Sequence, residues 1–364
     1  MRVNINLFDL NQAAMRDYFT DMAEKPFRAS QVMKWVYHQG VTDFAAMSNL
    51  SKTLREHLAD NTCSPLPTII SEKISADGTR KWLLQVDADN AIETVFIPET
   101  NRGTLCISSQ AGCALNCTFC STGKQGYSRN LSVAEIIGQV WLANKQLGYF
   151  ASRRRVISNV VLMGMGEPLL NFDNVTKAVE LITDDLGFGL ANKRVTLSTA
   201  GIVPGIIKLS KCNKISLAVS LHAANDALRD ELVPINRTYP IRELLSACRR
   251  YSEATGGEPV TFEYVMLNGV NDSLNDAQEL AKILKGFPAK VNLIIFNPFP
   301  GTGFSRSSME TTDRFRAILT GAGIITITRK TRGDDIDAAC GQLVGRVKPR
   351  ARNRQMQRMA TGCA

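Results

Sequence analysis

A chain of 364 residues, 44% hydrophobic and 21% charged, has an ordinary globular composition with enough apolar material for one large domain or a few smaller ones. No apolar run is long enough to cross a bilayer, and the N-terminal MRVNINLFDLNQ lacks the continuous apolar stretch of a signal peptide. A cytoplasmic chain, monomeric and without membrane association, is expected. The net charge of +9 and pI near 9.1 favour a polyanionic partner, though charge alone does not separate nucleic acid from a membrane surface.

Residues 1–66 read as a small helical accessory module. Apolar residues recur at three- and four-residue spacing over 29–39 and 43–59, with Ser30 and Ser51 as expected helix caps. Residues 67–98 form a β-rich extension, in which IISEKIS, KWLLQVD and AIETVFIP follow a period of two around an Asp77-Gly78 turn. This stretch predicts a small sheet leading into the main domain. Residues 99–345 alternate apolar runs with helical stretches. The runs are TLCIS, ISNVVLM, RVTLST, KISLAVSL, VTFEYVML, KVNLIIF and GIITITR. The helices fall over 133–147, 174–185, 241–255, 274–284 and 312–319. Such alternation implies parallel βαβ units, and a full or partial (β/α) barrel fits better than a doubly wound open sheet. Functional loops would then sit at the C-terminal ends of the strands. Residues 346–364 form a basic tail. Arg346, Lys348, Arg350, Arg352, Arg354 and Arg358 stand there without an acidic neighbour up to Arg358, a pattern suited to phosphate contacts.

The nine cysteines are an odd number, which argues against a secreted disulfide framework. Cys63, Cys212 and Cys248 read as small packing residues, and Cys363 has no assigned role. Cys113, Cys117 and Cys120 are spaced CxxxCxxC, directly after the first strand of the alternating region. Three thiolates so close can surround one metal or one face of an iron–sulfur cluster, leaving a ligand position open. A zinc site with a distant fourth ligand is the competing reading.

At CxxxCxxC, with Phe119 before the last cysteine, the chain resembles the radical SAM superfamily, where SAM is S-adenosylmethionine. Gly164-Met165-Gly166-Glu167-Pro168, after the second strand, resembles that superfamily's GGEP motif, although Met165 interrupts the glycine pair. CISSQAGCALNCTFCSTGKQG, VLMGMGEPLLN, RVTLSTAG, LAVSLHA and GDDIDAACGQL extend the resemblance to nearly the whole chain. They point to the RlmN/Cfr family of RNA adenine methyltransferases, and within it to the RlmN type. The implied fold is α/β, a radical SAM (β/α) partial barrel with a small N-terminal helical module and a β extension.

The resemblance also implies roles. Cys113, Cys117 and Cys120 would hold a [4Fe-4S] cluster whose open iron chelates SAM. Gly166, Glu167, Ser198, Ser220, Leu221, His222 and Asn297 would contact SAM. Cys340 would carry the methyl group, Cys106 would resolve the protein–RNA adduct through a transient disulfide, and Glu93 would accept a proton. Two SAM molecules would be used per turnover, one to methylate Cys340 and one cleaved to a 5′-deoxyadenosyl radical. A reductant such as flavodoxin or ferredoxin would supply the electron. The implied partners are 23S rRNA and tRNA, modified at adenine C2, in tRNA at the adenosine 3′ of the anticodon. The chemistry agrees: C2 lies between two ring nitrogens, is a poor nucleophile, and needs a carbon radical delivered by a carrier such as a thiolate. The target base would have to be unstacked. Arg153–Arg155 and the helical module are further candidates for phosphate contact. Cfr-type methylation at C8 would share these motifs. A non-catalytic zinc-containing RNA-binding protein and a radical SAM activase of a protein partner are the remaining alternatives.

Overall fold

The computed structural model describes residues 5–212 and 214–348. The basic residues Arg350, Arg352, Arg354 and Arg358 of the expected tail, with Cys363, lie outside the described residues.

Ten strands form one sheet and lie side by side in the order of the chain. They are β1 (Thr68–Ile74), β2 (Arg80–Gln85), β3 (Ala91–Glu99), β4 (Arg102–Cys106), β5 (Asn159–Leu162), β6 (Val195–Thr199), β7 (Ser216–Ser220), β8 (Val260–Met266), β9 (Ala289–Ile295) and β10 (Ile325–Arg329). β1 to β4 are antiparallel neighbours, and β4 to β10 run parallel. All seven apolar runs of the alternating region are thus strands. The strands of 67–98, expected as a small sheet leading into the main domain, extend the main sheet by one continuous edge. They can do so because Ala91–Phe96 are all buried and β3 pairs directly with β4.

Each parallel connection carries a helix: Val133–Gln146, Phe172–Thr183, Val203–Leu209, Ile241–Ala254, Leu274–Leu284 and Met309–Gly321. Local chemistry starts them where expected. Ser132 with Glu135, and Ser273 with Asp276, form reciprocal capping boxes. A doubly wound sheet would reverse its strand order; this one never does. The C-terminal ends of β5 to β10 instead surround a single cavity, so the sheet curves as a partial barrel.

The N-terminal region differs from the periodicity in detail. A helix at Gln12–Asp21, capped by Asn11, was not evident from spacing. The second helix begins at Phe27 and passes into a π turn at Lys34–His38, so Ser30 lies inside it rather than at its cap. The span 43–59 is broken into a short 3-10 turn and a helix at Lys52–Asn61, which Ser51 does cap. These helices bury Met15, Phe19 and Tyr37, and a preceding 3-10 turn at Leu7–Asp9 buries Phe8, against the core, where Trp141 donates a 2.9 Å hydrogen bond to the Val36 carbonyl. Among the described residues no helix is long and apolar enough to cross a membrane.

Candidate active site

The three-cysteine loop follows β4 and is bracketed by a small antiparallel pair, Gln110–Gly112 with Tyr127–Asn130. The Cys113 N–H donates to the Gly126 carbonyl at 2.8 Å, and the Thr118 N–H to the Leu232 carbonyl at 3.1 Å. Asn116 takes a left-handed φ of 55° to close the turn. Cys113, Cys117 and Cys120 all line the barrel cavity, and none is in a disulfide. Desolvation pushes the Cys113 thiol up to about 12 and raises Cys117 and Cys120, with the neighbouring thiolates adding to the effect at Cys117. Thiols so placed ionise when a cation takes them as ligands. Three sulfur donors without histidine suit a cluster.

The Gly-Met-Gly-Glu-Pro loop leaves β5 pressed against 108–110. The Met165 N–H donates to Ser108 Oγ at 2.9 Å, and the Glu167 N–H to Gln110 Oε1 at 2.8 Å. Gly166 has φ 98°, and a β-carbon there would lie 2.5 Å from Gln110 Cβ. Met165, the departure from the glycine pair, is buried and turned away from the cavity, its sulfur accepting from the Glu93 N–H at 3.4 Å. Glu167 is buried and accepts from the Leu169 and Ala200 N–H groups at 3.0 and 2.7 Å. Burial nevertheless pushes its carboxyl up to about 7.

Ser198, Ser220 and His222 line the same cavity. His222 adopts φ 60°, and its Nδ1 accepts the Val265 N–H at 3.0 Å, so Nε2 carries the proton. Burial, with a smaller contribution from Arg229, brings its pKa down to about 3, which keeps the ring neutral. Its ring meets Phe119 edge-on at 4.5 Å. Leu221 is fully buried and is not a lining residue; its N–H donates to the Glu263 carbonyl at 3.0 Å. Asn297 lines a neighbouring cavity, with Oδ1 accepting from Arg306 at 2.9 Å.

Beyond β10, residues 333–346 return as a strap over the mouth of the barrel. Left-handed Gly333, Asp337 and Gly341 shape it. One end is held by the Asp77 turn, where the Gly333 N–H meets Asp77 Oδ2 at 3.2 Å. The other is held at the start of β3 by the 2.6 Å Ala91–Arg346 hydrogen bond. Between them the Gly341 and Leu343 carbonyls accept from the Ser121 N–H and Thr122 Oγ1, immediately after Cys120. Cys340 is exposed at this strap and lines both cavities. Cys106, at the end of β4, is pushed up to about 12 by burial and next by Cys340, which puts the two thiols within electrostatic reach.

Glu93 does not line the cavity. Its carboxylate lies under the strap, 3.1 Å from Lys81 Nζ and accepting the Val344 N–H at 2.9 Å. Burial raises its pKa, while Lys81 and the Val344 N–H oppose that shift.

Sequence reasoning passed over Glu263, Arg329, Arg229 and Lys81. Glu263 and Arg329 line the cavity and lie 3.6 Å apart. Arg329 is held protonated most strongly by Cys340, then by Glu263 and Cys106. The signal for Glu263 was present as a lone acid inside the apolar run VTFEYVML. Arg229 and Lys81 sit in ordinary polar stretches that carry no such mark.

Residues 5–63 match the family described as ribosomal RNA large subunit methyltransferase N-terminal domain, and residues 107–282 match the radical SAM superfamily. A radical SAM methyltransferase from Sphaerobacter thermophilus is 43% identical, with 93% of this chain and 99% of that chain covered and a TM-score of 0.87. SuiB of Streptococcus suis, solved with SAM bound, is 14% identical over 66% of this chain and 57% of its own, with a TM-score of 0.46. With an N-terminal domain of the ribosomal RNA large-subunit methyltransferase type joined to a radical SAM core, the chain belongs to the RlmN/Cfr family of radical SAM methyltransferases, whose cofactors are a [4Fe-4S] cluster and SAM.

Proposed function

We infer that this enzyme methylates adenine C2 in 23S rRNA and, in tRNA, at the adenosine 3′ of the anticodon. The observation that carries the reading is the return of Cys340 to the cavity lined by Cys113, Cys117 and Cys120. A strap that brings a thiol there, with a second thiol at Cys106 in electrostatic reach, supports a carrier and a resolving cysteine.

In this reading Cys113, Cys117 and Cys120 hold the cluster, which when bound supplies the electron that cleaves SAM. Cys340 takes a methyl group on Sγ by attack of its thiolate on the sulfonium methyl of SAM, with S-adenosylhomocysteine leaving. A hydrogen atom of the Cys340 S-methyl group would pass to the 5′-deoxyadenosyl radical that cleaved SAM supplies, and the carbon would join adenine C2, the adduct then giving up one electron to the cluster. Glu93 receives the proton that C2 loses, a role its burial-raised pKa supports. The Cys106 thiolate then bonds to Cys340 Sγ, the Cys340 sulfur–carbon bond breaks with its electron pair going to carbon, and that carbon takes a proton to become the methyl group, leaving a Cys106–Cys340 disulfide for reduction before the next turnover. Glu167, Ser198, Ser220 and the Nε2–H of His222 supply polar contacts for SAM, with Gly166 allowing its close approach. Leu221 and Asn297 flank that set. A one-electron carrier such as flavodoxin or ferredoxin serves as reductant, and the chain acts as a monomer. The proposed division is a helical module at 1–66, a β extension of the main sheet at 67–98 and a core at 99–345, with RNA gripped by 346–364, Arg153–Arg155 and the helical module.

The test is nucleoside mass spectrometry after anaerobic reaction of reconstituted enzyme, SAM and reductant with unmodified rRNA and tRNA. The expected product is 2-methyladenosine in both RNAs. Only 8-methyladenosine would overturn the C2 assignment, and SAM cleavage without any methylated adenine would overturn the RNA assignment.

A further inference from the structure

Arg229, on the short helix Asp226–Leu232 after β7, is completely buried. A guanidinium taken out of water needs both its donors and its charge answered. The donors are answered well. Nε donates to the Leu221 carbonyl at 3.0 Å and Nη1 to Asn236 Oδ1 at 2.8 Å. Nη2 donates to the Ala200 and Ser220 carbonyls at 2.7 and 2.9 Å. All four acceptors are neutral, so the charge is left over.

The acids on the same helix are engaged elsewhere. Asn236 Nδ2 donates to Asp226 Oδ1 at 2.9 Å and to Asp230 Oδ1 at 2.7 Å, and Asp226 Oδ1 also accepts the Ile241 N–H. Two of its acceptors, Ala200 and Ser220, line the cavity together with Cys113, Cys117 and Cys120, so the guanidinium is anchored to the wall of the three-cysteine site. The backbone adds a direct link, since the Leu232 carbonyl of this helix accepts the Thr118 N–H beside Cys117.

We propose that Arg229 is the buried counter-charge of the three-cysteine site: it ties together the ends of β6 and β7 and, by its fixed positive charge, raises the reduction potential of the cluster. The inference rests on the assignment of Cys113, Cys117 and Cys120 to the cluster. Adding one electron makes the cluster more negative. A cation fixed in a low-dielectric surround stabilises that reduced state more than the oxidised one. Arg229 touches no reacting atom and is a positioning residue. Its hydrogen bonds and its charge are separable by substitution, because a lysine keeps the charge and loses the forked geometry.

The experiment uses the full chain, reconstituted anaerobically with iron and sulfide, as wild type, Arg229→Gln, Arg229→Lys and Cys117→Ala. Iron content and the midpoint potential of the cluster, followed by electron paramagnetic resonance during a dithionite titration, are read for each. The expected result is a lower potential in Arg229→Gln and a potential near wild type in Arg229→Lys. Should Arg229→Gln fail to hold iron while Arg229→Lys holds it, the need for the charge is again supported. An unchanged potential in Arg229→Gln overturns the proposal. So does loss of iron from both arginine variants while circular dichroism stays native, since the scaffold rather than the charge would then matter. Full iron in Cys117→Ala would instead remove the cluster assignment itself, a failure distinct from that of Arg229.

Discussion

Lys81 binds Glu93 to the strap: its Nζ lies 3.1 Å from Glu93 Oε1 and donates a 2.9 Å hydrogen bond to the Asp337 carbonyl. Both side chains are buried. Glu93 in turn accepts the Val344 N–H on the far side of Cys340, so the pair clamps the strap three residues before that cysteine and four after it. Lys81→Met would leave a buried carboxylate without its cation, at a cost of about 3–5 kcal/mol. The expected outcome is a lower unfolding midpoint and faster tryptic cleavage after Arg332 and Arg346, which border the strap. Lys81→Met combined with Glu93→Gln should recover at least half the lost stability. Equal instability of the double variant would show that the ion pair is not what holds the strap.

The site was legible wherever chemistry is local. The cysteine spacing, the Gly-Glu-Pro loop and the polar residues ending β6 and β7 are fixed by a few neighbouring residues, and Cys113, Cys117, Cys120, Glu167, Ser198, Ser220 and His222 all meet at one cavity. The seven parallel strands were legible for the same reason, as each is a short apolar run between helices. What could not be read were partnerships across the chain. Lys81 and Asp337 are separated by the whole barrel, and the neutral acceptors of Arg229 come from three separate loops. Glu93 was recognisable as an acid among apolar neighbours, yet its position beneath the strap depends on that same return of the chain. The break within 43–59 has a different origin: periodicity continues through a turn whose backbone leaves the helix.

His222 is neutral in the folded chain with its pKa brought down to about 3, against an ordinary 6.5. Below 6.5 the unfolded chain takes up a proton that the folded chain refuses. The stability contribution is therefore complete above 6.5 and is lost as pH falls toward 3. By about pH 4.5 the loss from this one group is on the order of 3 kcal/mol. His222→Asn is the fitting control, because asparagine tolerates the left-handed φ and does not titrate. Urea unfolding at neutral pH and near pH 4.5 should show wild type losing more than the variant by roughly that amount. Parallel losses in both would mean that His222 protonates in place.

Gly166→Ala puts a β-carbon 2.5 Å from Gln110 Cβ and 2.8 Å from the Gln110 N, on a backbone with φ 98°. Neither the conformation nor the space suits a side chain. The strain alone is about 1–3 kcal/mol, and Gln110 must also move, which withdraws Oε1 from the Glu167 N–H. Thermal unfolding should fall accordingly, and SAM binding by equilibrium dialysis should weaken at least tenfold. Unaltered SAM binding in a destabilised variant would separate the loop's packing from its contact with ligand.

Cys106 and Cys340 supply the last prediction, which concerns pairing rather than stability. Cys340 lies within electrostatic reach of both Cys106 and Cys120, and the reading above requires it to join Cys106. A disulfide forms only when the two α-carbons approach to about 7 Å or less, so oxidation reports which thiol the strap presents Cys340 to. Diamide treatment of the cluster-loaded chain, followed by non-reducing digestion and mass spectrometry, should yield the Cys106–Cys340 peptide as the main cross-link. If Cys113, Cys117 and Cys120 hold the cluster as proposed, no other cysteine among the described residues lines either cavity beside Cys340. Lys81→Met should lower the yield, since a strap released at Asp337 samples more positions. A cross-link to Cys120 instead, with iron still bound, would place Cys340 over the cluster loop and leave Cys106 without a resolving role.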